Sequence, residues 1–477
     1  MILPADFISE TRALLGDEYP LLEAALQAHP TVSIRLNPAK GLKNLNRLPA
    51  DRVGWCDTGY YLPERPAFTF DPLFHAGAYY VQEASSMFLE QAIRTYAGGP
   101  LKCLDLCAAP GGKSTHLLTA LPGGSLLVSN EVIRSRSYIL AENTMKWGSP
   151  HVIVTHNDPK EIGGLTHFFD MIVADAPCSG EGMFRKNPES MNEWSAGNVA
   201  LCASRQRRIL HDSWDALKPG GILIYSTCTY NLEENEENLH YILAELGAEA
   251  LPIPVKETWN ISGPLKYSYP VYRFFPHKTK GEGFFLAAVR KKEGGAPPYR
   301  KKQKKEKGKP KSAIPAGPGN WILQPEAYQI EMREHTIAAF PQSVAGDLQT
   351  IAAQLQIVSA GVSLGEVKGK DVVPCHSLAM STAFNRSAFP VVDLTWDDAI
   401  RYLRKEAVTL PDALPKGYVL AAYKGYPLGF IKHMGNRSNN LYPHEWRIRT
   451  GCGRDPNDMK NKINACGFHG GESKTTG

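Results

Sequence analysis

Six short, mostly apolar segments punctuate the middle of the chain, at residues 102–106, 125–129, 152–155, 170–174, 221–226 and 284–290. Runs of this length predict strands buried on both faces of a sheet. Between them lie stretches with helical spacing. One is 135–147, where Ile139, Leu140 and Trp147 fall near one face, and another is 199–217, closed by Lys218-Pro219-Gly220-Gly221. Such alternation predicts an α/β fold with a doubly wound, mostly parallel sheet, whose ligands bind beyond the carboxyl ends of the strands. Residues 105–113, Glu131, Asp158, 175–180 and 227–230 then collect along one edge.

Outside this region the pattern changes. A helical stretch at 21–28, closed by His29-Pro30, precedes apolar–polar alternation from Val32 to Leu36, which predicts a small N-terminal domain over 1–75 and an α/β domain over 76–291. Residues 290–311 hold eleven Lys or Arg against Glu293 and Glu306, a local charge of +9 in a chain of net charge +5, so the remainder is mildly acidic. With its glycines and prolines this stretch cannot bury a core and reads as a basic, flexible linker over 292–318. It is either a solvated spacer or a segment that tracks phosphates. In the third part, 319–450, residues 397–405 read as a helix and 417–432 as two strands across Lys424-Gly425, consistent with a small β-rich barrel. Residues 451–477, rich in Gly and Lys, read as a disordered tail without an assigned role.

A length of 477 residues suits roughly three domains. No apolar run reaches the ~18 residues a bilayer span needs, and Met1-Ile2-Leu3-Pro4-Ala5-Asp6 lacks a basic segment followed by an apolar one. A cytoplasmic protein is expected. The nine cysteines form no C-x-x-C pair, so neither a disulfide scaffold nor a bound metal is expected.

The first candidate site runs Asp105-Leu106-Cys107-Ala108-Ala109-Pro110-Gly111-Gly112-Lys113-Ser114-Thr115, a strand end turning into a helix through small residues that let a ligand approach the backbone. A phosphate-binding Walker loop would need glycine five positions before Gly112, where Cys107 stands, and a dinucleotide fingerprint would need G-x-G-x-x-G. Neither is present. Glu131, at the end of the next strand, suits a ribose diol, so a nucleoside cofactor without pyrophosphate fits best: S-adenosylmethionine. Most cysteines read as small buried hydrophobes, Cys56, Cys103, Cys202, Cys375, Cys452 and Cys466 among them. Cys178 (Asp175-Ala176-Pro177-Cys178-Ser179-Gly180-Glu181-Gly182) and Cys228 (Ser226-Thr227-Cys228-Thr229-Tyr230) differ, because both lie just past strand ends on the ligand edge. Two thiols there, without metal-ligand spacing, point to covalent chemistry.

These segments resemble the Nop/Sun family of RNA cytosine-5 methyltransferases, and within it the bacterial RsmF type that modifies 16S ribosomal RNA. Further resemblance lies in Ser33-Ile34-Arg35-Leu36-Asn37-Pro38, in 79–87, in Arg273-Phe274-Phe275-Pro276-His277 and in Gly281-Glu282-Gly283-Phe284-Phe285. More weakly, 364–366, 374–379 and 417–432 resemble the family's C-terminal part, which ends in a PUA-like RNA-binding fold. The resemblance implies a Rossmann-like methyltransferase core with Cys107, Ala108, Ala109, Pro110, Gly111, Gly112 and Lys113 forming the cofactor loop, Glu131 holding the ribose, Asp158 beside the adenine and Asp175 between methionine and target base. It gives Cys228 the nucleophile's place and Cys178 the release step. Lys113 lies close to the reacting groups, or serves only as a cation at a helix start. The partner implied is RNA, 16S ribosomal RNA or the 30S subunit, met by a monomer.

Other readings stay open on sequence alone. In DNA cytosine methyltransferases the Pro-Cys thiol is the nucleophile, which would exchange Cys178 and Cys228. Transfer RNA is an alternative substrate, and a catalytically silent assembly factor an alternative function. Arg35, Arg185, Lys186, Arg205, Arg207 and Arg208 are candidate phosphate contacts or else merely solvated cations, and Phe184 and Tyr230 are rings that either stack on an extruded base or pack in the core.

Overall fold

The computed structural model describes residues 2–41, 51–293, 315 and 317–449. Most of the expected basic linker (294–314 and 316) and the expected tail (451–477) lie outside them. The helices Ala5–Leu15 and Tyr19–Gln27 lead into β1 (Val32–Leu36), which pairs antiparallel with β2 (Gly59–Leu62) and β3 (Tyr79–Val81). The second helix stops ahead of Pro30, because a proline disfavours helical geometry in the residue before it.

The six expected strands are all present, as β4 (Lys102–Asp105), β5 (Leu126–Asn130), β6 (Val152–Thr155), β7 (Phe169–Asp175), β8 (Leu217–Thr227) and, after β9 (Ala248–Leu251) and β10 (Val271–Phe274), β11 (Phe284–Lys291). Strands β12 (Tyr328–Arg333), β13 (Thr336–Pro341), β14 (Ile357–Ala360), β15 (Val362–Lys368) and β16 (Asp371–Pro374) follow. The central sheet has the order β10-β11-β8-β7-β4-β5-β6-β14, with β9 also on β11. Its middle strands, β8-β7-β4-β5-β6, are parallel.

Two details depart from the sequence pattern. Lys218-Pro219-Gly220-Gly221, expected to close a helix, lies inside β8, while the helix itself, Ala196–Ser213, ends earlier. Phe169 pairs with Leu217 but Met171 with Ile222, so the four residues between bulge out of the ladder. Second, β14 comes from beyond the linker and pairs antiparallel with β6 at the sheet's edge. The central sheet is thus completed by a segment from 319–450, across the expected division at the linker.

The last strands, β17 (Val391–Asp393), β18 (Gly417–Tyr423), β19 (Tyr426–His433) and β20 (Ser438–Asn440), form a four-stranded sheet. Its outer strands β17 and β20 do not pair with each other. The hairpin turns at Lys424 (φ 50°) and Gly425 (φ 74°), two left-handed residues as a tight twisted hairpin requires. The helix expected at 397–405 is Trp396–Leu403.

Alternation along the central strands feeds two cores. Leu104, Val128, Ile153 and Ile172 pack on one face with Phe340, Leu348 and Ile351, and Leu127, Val154, Met171 and Ile224 on the other. A third core joins the two ends of the chain, with Ile34, Phe70 and Tyr79 against Trp396, Tyr402 and Ile431, and the Trp396 indole donating to the Phe70 carbonyl at 3.1 Å. No helix among the described residues is long and apolar enough to cross a membrane.

Candidate active site

Strand β4 delivers Asp105 to the sheet's carboxyl edge, and the chain runs through Cys107, Ala108, Ala109, Pro110 and Gly111 into the helix Gly112–Ala120. Neighbouring elements hold the loop by its backbone: the Ala108 N–H donates to the Asn130 carbonyl (2.9 Å), Arg136 donates to the Ala109 carbonyl (2.8 Å) and the Asn143 amide to the Pro110 carbonyl (2.7 Å). Gly111 has φ 114°, in the left-handed region, and a Cβ there would sit 3.3 Å from both Asn143 Cβ and Leu140 Cδ1. Only glycine occupies it without strain.

Asp105 is fully buried. Ser114 Oγ donates to its Oδ2 (2.6 Å), while Oδ1 has no partner, and burial pushes the carboxyl up to about 7 against that bond. Glu131 ends the neighbouring strand β5, with Oε1 accepting from the Ile133 N–H (2.9 Å) and Oε2 3.5 Å from Arg136. Asp158 follows β6, where it caps the helix Pro159–Gly163 by accepting from the Lys160 N–H at 3.0 Å, in a capping box with Glu161.

Strands β7 and β8 are parallel neighbours with Asp175 opposite Ser226, and this adjacency brings the two motif cysteines together. Cys178 Sγ lies 2.9 Å from Cys228 Sγ and accepts from the Cys228 N–H at 3.3 Å. Both are free thiols, half-buried. The hydrogen bond with Cys228, and then burial, push the Cys178 thiol well up, so its proton is held tightly. Beside them Lys113 Nζ pairs with Asp175 Oδ2 at 2.7 Å, and Ser226 Oγ donates to Oδ1 at 2.8 Å. Burial alone would lower the Lys113 pKa, but the Asp175 charge and hydrogen bond outweigh it and raise it. Lys113 is therefore a cation that ties the β4 loop to the end of β7.

Some of the candidate substrate contacts are turned inward. Arg35 is buried, donating to Gln82 Oε1 (2.8 Å) and Thr115 Oγ1 (2.6 Å), with its guanidinium 4.4 Å from the Trp147 ring centre. Arg185 grips Glu282 through two 2.9 Å bonds and Arg207 donates to Asn238. Phe184 and Tyr230 pack into an aromatic core with Phe7, Trp194 and Phe275, Tyr230 lying against Phe275 at 5.5 Å and 13°. Arg205 and Arg208 are exposed. Cys56, expected to act as a plain hydrophobe, instead donates to Glu90 Oε2 (3.0 Å), which also meets His116 Nε2 (3.1 Å). Sequence reasoning passed over Glu181 and Glu234, two carboxylates buried against the thiol loops. Glu181 stands inside the Cys178 motif, three residues beyond the cysteine, and that placement is its signal in the sequence.

Three family models match the chain: "16S rRNA methyltransferase RsmB/F" over 100–290, "N-terminal domain of 16S rRNA methyltransferase RsmF" over 3–84 and "Methyltransferase RsmF PUA domain" over 389–448. Ribosomal RNA small subunit methyltransferase F of Aliivibrio fischeri (strain MJ11) is 30% identical over 93% of this chain and 98% of its own length. The protein of that name from Escherichia coli O9:H4 (strain HS) is 31% identical, covering 82% and 84%. Among solved structures, a methyltransferase homologue from Pyrococcus horikoshii is 29% identical with a TM-score of 0.52, covering 59% of this chain and 93% of that one. The NSun6 structure from the same organism, solved with SFG, has a TM-score of 0.52 over 61% and 99%, and at 20% identity it shows likeness of fold alone.

Proposed function

The chain belongs to the ribosomal RNA small subunit methyltransferase F family, and from that premise we propose that it methylates carbon 5 of a cytosine in 16S ribosomal RNA through a covalent adduct with Cys228. The observation that carries this reading is the pair of thiols 2.9 Å apart at the ends of adjacent strands, beside the Lys113–Asp175 ion pair.

S-adenosylmethionine, when bound, supplies the electrophilic methyl group that carbon 5 takes up. The site's residues fit such a group. Asp105 Oδ1 is a buried acceptor awaiting a donor, Gly111 keeps the loop free of side chain, and Glu131 stands where a ribose diol can be held. The 107–113 loop and Asp158 complete the cofactor set. Replacing Gly111 with valine forces a branched side chain onto a left-handed backbone. We expect S-adenosylmethionine affinity to fall about tenfold or more, as strain of ~1–3 kcal/mol implies. Calorimetric titration checks this, and an unchanged Kd would remove the loop from the cofactor site.

Carbon 5 of cytosine is not nucleophilic by itself. Addition of the Cys228 thiolate to carbon 6 forms a carbon–sulfur bond and moves the ring's electron pair onto carbon 5, which can then take the methyl group. Asp175, oriented by Lys113 and Ser226, accepts a hydrogen bond from the ring's amino group and holds the adduct in register. The proton on carbon 5 must then leave so that the carbon–sulfur bond breaks, its electron pair returning to sulfur. Once Cys228 is bound to carbon 6 its bond to Cys178, the largest cause of that thiol's rise, is gone, and the Cys178 thiolate, or a water it holds, takes the proton.

The substrate assignment is tested by incubating the protein and labelled S-adenosylmethionine with free 16S RNA, 30S subunits and transfer RNA, then mapping the modified base. The expected product is 5-methylcytidine in 16S RNA, made by a cytoplasmic monomer. Label in transfer RNA alone would replace the substrate, and cofactor binding without methylation of any RNA would point to an assembly factor.

A further inference from the structure

Cys178 lies three residues beyond β7 and Cys228 one beyond β8, where ladder hydrogen bonds no longer hold the chain. Two buried carboxylates replace them. Glu181, three residues after Cys178, accepts from Tyr230 N–H (2.7 Å), Asn231 N–H (3.0 Å) and Thr229 Oγ1, all in the turn that follows Cys228, and from the Trp194 indole (3.0 Å). Glu234, six residues after Cys228, accepts from the Ser179 N–H next to Cys178 (3.0 Å) and from Gln206 Nε2 (2.7 Å), an amide that also donates to the Pro177 carbonyl (3.0 Å). The Asn231 amide bridges both carboxylates, at 3.0 Å to Glu181 and 2.9 Å to Glu234. The Gly182 N–H donates to the Cys228 carbonyl at 2.9 Å, joining the two thiol loops, and a Cβ at Gly182 would fall 2.4 Å from the carbonyl oxygen of Gly283, just ahead of β11.

The electrostatics make this arrangement costly. Burial pushes the Glu234 carboxyl up despite its bonds from Ser179 and Asn231, and negative charge near the thiols opposes thiolate formation. Carboxylates so placed oppose reactivity through their charge, so what they contribute is geometry. Charge-assisted bonds to backbone N–H groups are among the strongest and most directional available to a loop.

We propose that Glu181 and Glu234 are positioning residues forming a reciprocal clamp, in which each carboxylate sits on one thiol's segment and fixes the backbone of the other. The clamp sets the separation and aim of the two sulfurs, and it rests on the roles given above to Cys228 and Cys178. The two halves act on different steps. Glu181 holds the turn of the nucleophile and governs addition, whereas Glu234 holds the Cys178 backbone and governs release.

The test uses the full chain with S-adenosylmethionine and 16S RNA transcribed with 5-fluorocytidine, where fluorine replaces the proton that must leave and the adduct is trapped. On denaturing gels wild type accumulates a slow band. Glu181→Gln slows its appearance about 100-fold, the scale of a small misplacement of reacting groups, with S-adenosylmethionine Kd unchanged within about twofold. Glu234→Gln traps at close to the wild-type rate, but on ordinary cytidine RNA its adduct persists. Thr229→Val removes one donor to Glu181 and reproduces the addition defect, and Thr229→Ser restores it, so this pair decides the matter even if Glu181→Gln does not fold. Wild-type rates for both steps in both glutamine variants overturn the clamp and leave the chemistry standing. Equal loss of addition, release and cofactor binding in both variants also overturns it, leaving only a role in folding. Failure of wild type to trap any adduct overturns the covalent reading itself, and the clamp with it.

Discussion

Replacing Cys228 with alanine is expected to lower methyl transfer on the order of 10⁴-fold or more, the scale on which removing a covalent nucleophile acts, while S-adenosylmethionine affinity stays nearly unchanged. The expectation rests on the position of the thiol. Cys228 sits one residue past β8, beside the ion pair of Lys113 and Asp175, and the cofactor loop is built from another strand. Removing one sulfur leaves the Ala108, Ala109 and Pro110 backbone bonds intact. Cys178 does not substitute for it: the bond with Cys228 goes with the sulfur, but burial still holds the Cys178 thiol up. Single-turnover methylation with labelled cofactor, alongside calorimetry, checks both halves. Full activity in this variant would reverse the assignment.

The second large effect separates the thiols by their order in the reaction. With Cys178→Ala, addition and methyl transfer proceed but the carbon 5 proton has no base to take it, so the protein–RNA adduct accumulates. Its carbon–sulfur bond survives detergent. The adduct therefore runs as a slower band on a denaturing gel, requires RNA, and disappears when Cys228→Ala is added. Two thiols that merely packed against each other would show no such asymmetry. If the adduct instead accumulates with Cys228→Ala and vanishes with Cys178→Ala, the roles are exchanged as in the DNA enzymes, and the reaction class survives.

Where sequence and structure part company, the cause is usually a contact between distant segments. Phe184 and Tyr230 suit base stacking and core packing alike on sequence alone, and the N-terminal helix decides for the core by bringing Phe7 against Phe184 at 5.1 Å. Arg35 is on sequence alone a phosphate contact or a solvated cation, but its strand lies against the helix Gly112–Ala120, whose Thr115 Oγ1 accepts from its guanidinium. Its burial is a property of that docking and not of the local pattern. Lys218-Pro219-Gly220-Gly221 has the signature of a helix stop, since neither proline nor paired glycines signal a strand interior, but a bulge accommodates them within β8.

The sequence by itself determined the alternating α/β core, the strand ends on which the motifs sit, and the family, because each depends on periodicity or contiguous residues. It marked both cysteines, since each lies just past a strand end. Only the tertiary structure decided that β14 completes the sheet from beyond the linker, that the two ends of the chain share a core, and that the sulfurs stand 2.9 Å apart. It also decided the partners of Glu181 and Glu234, whose hydrogen bonds reach across about fifty residues of chain. Local patterning reports which face of an element is apolar. Which loops meet depends on strand order and on buried polar groups that must find partners, and those are properties of the assembled fold.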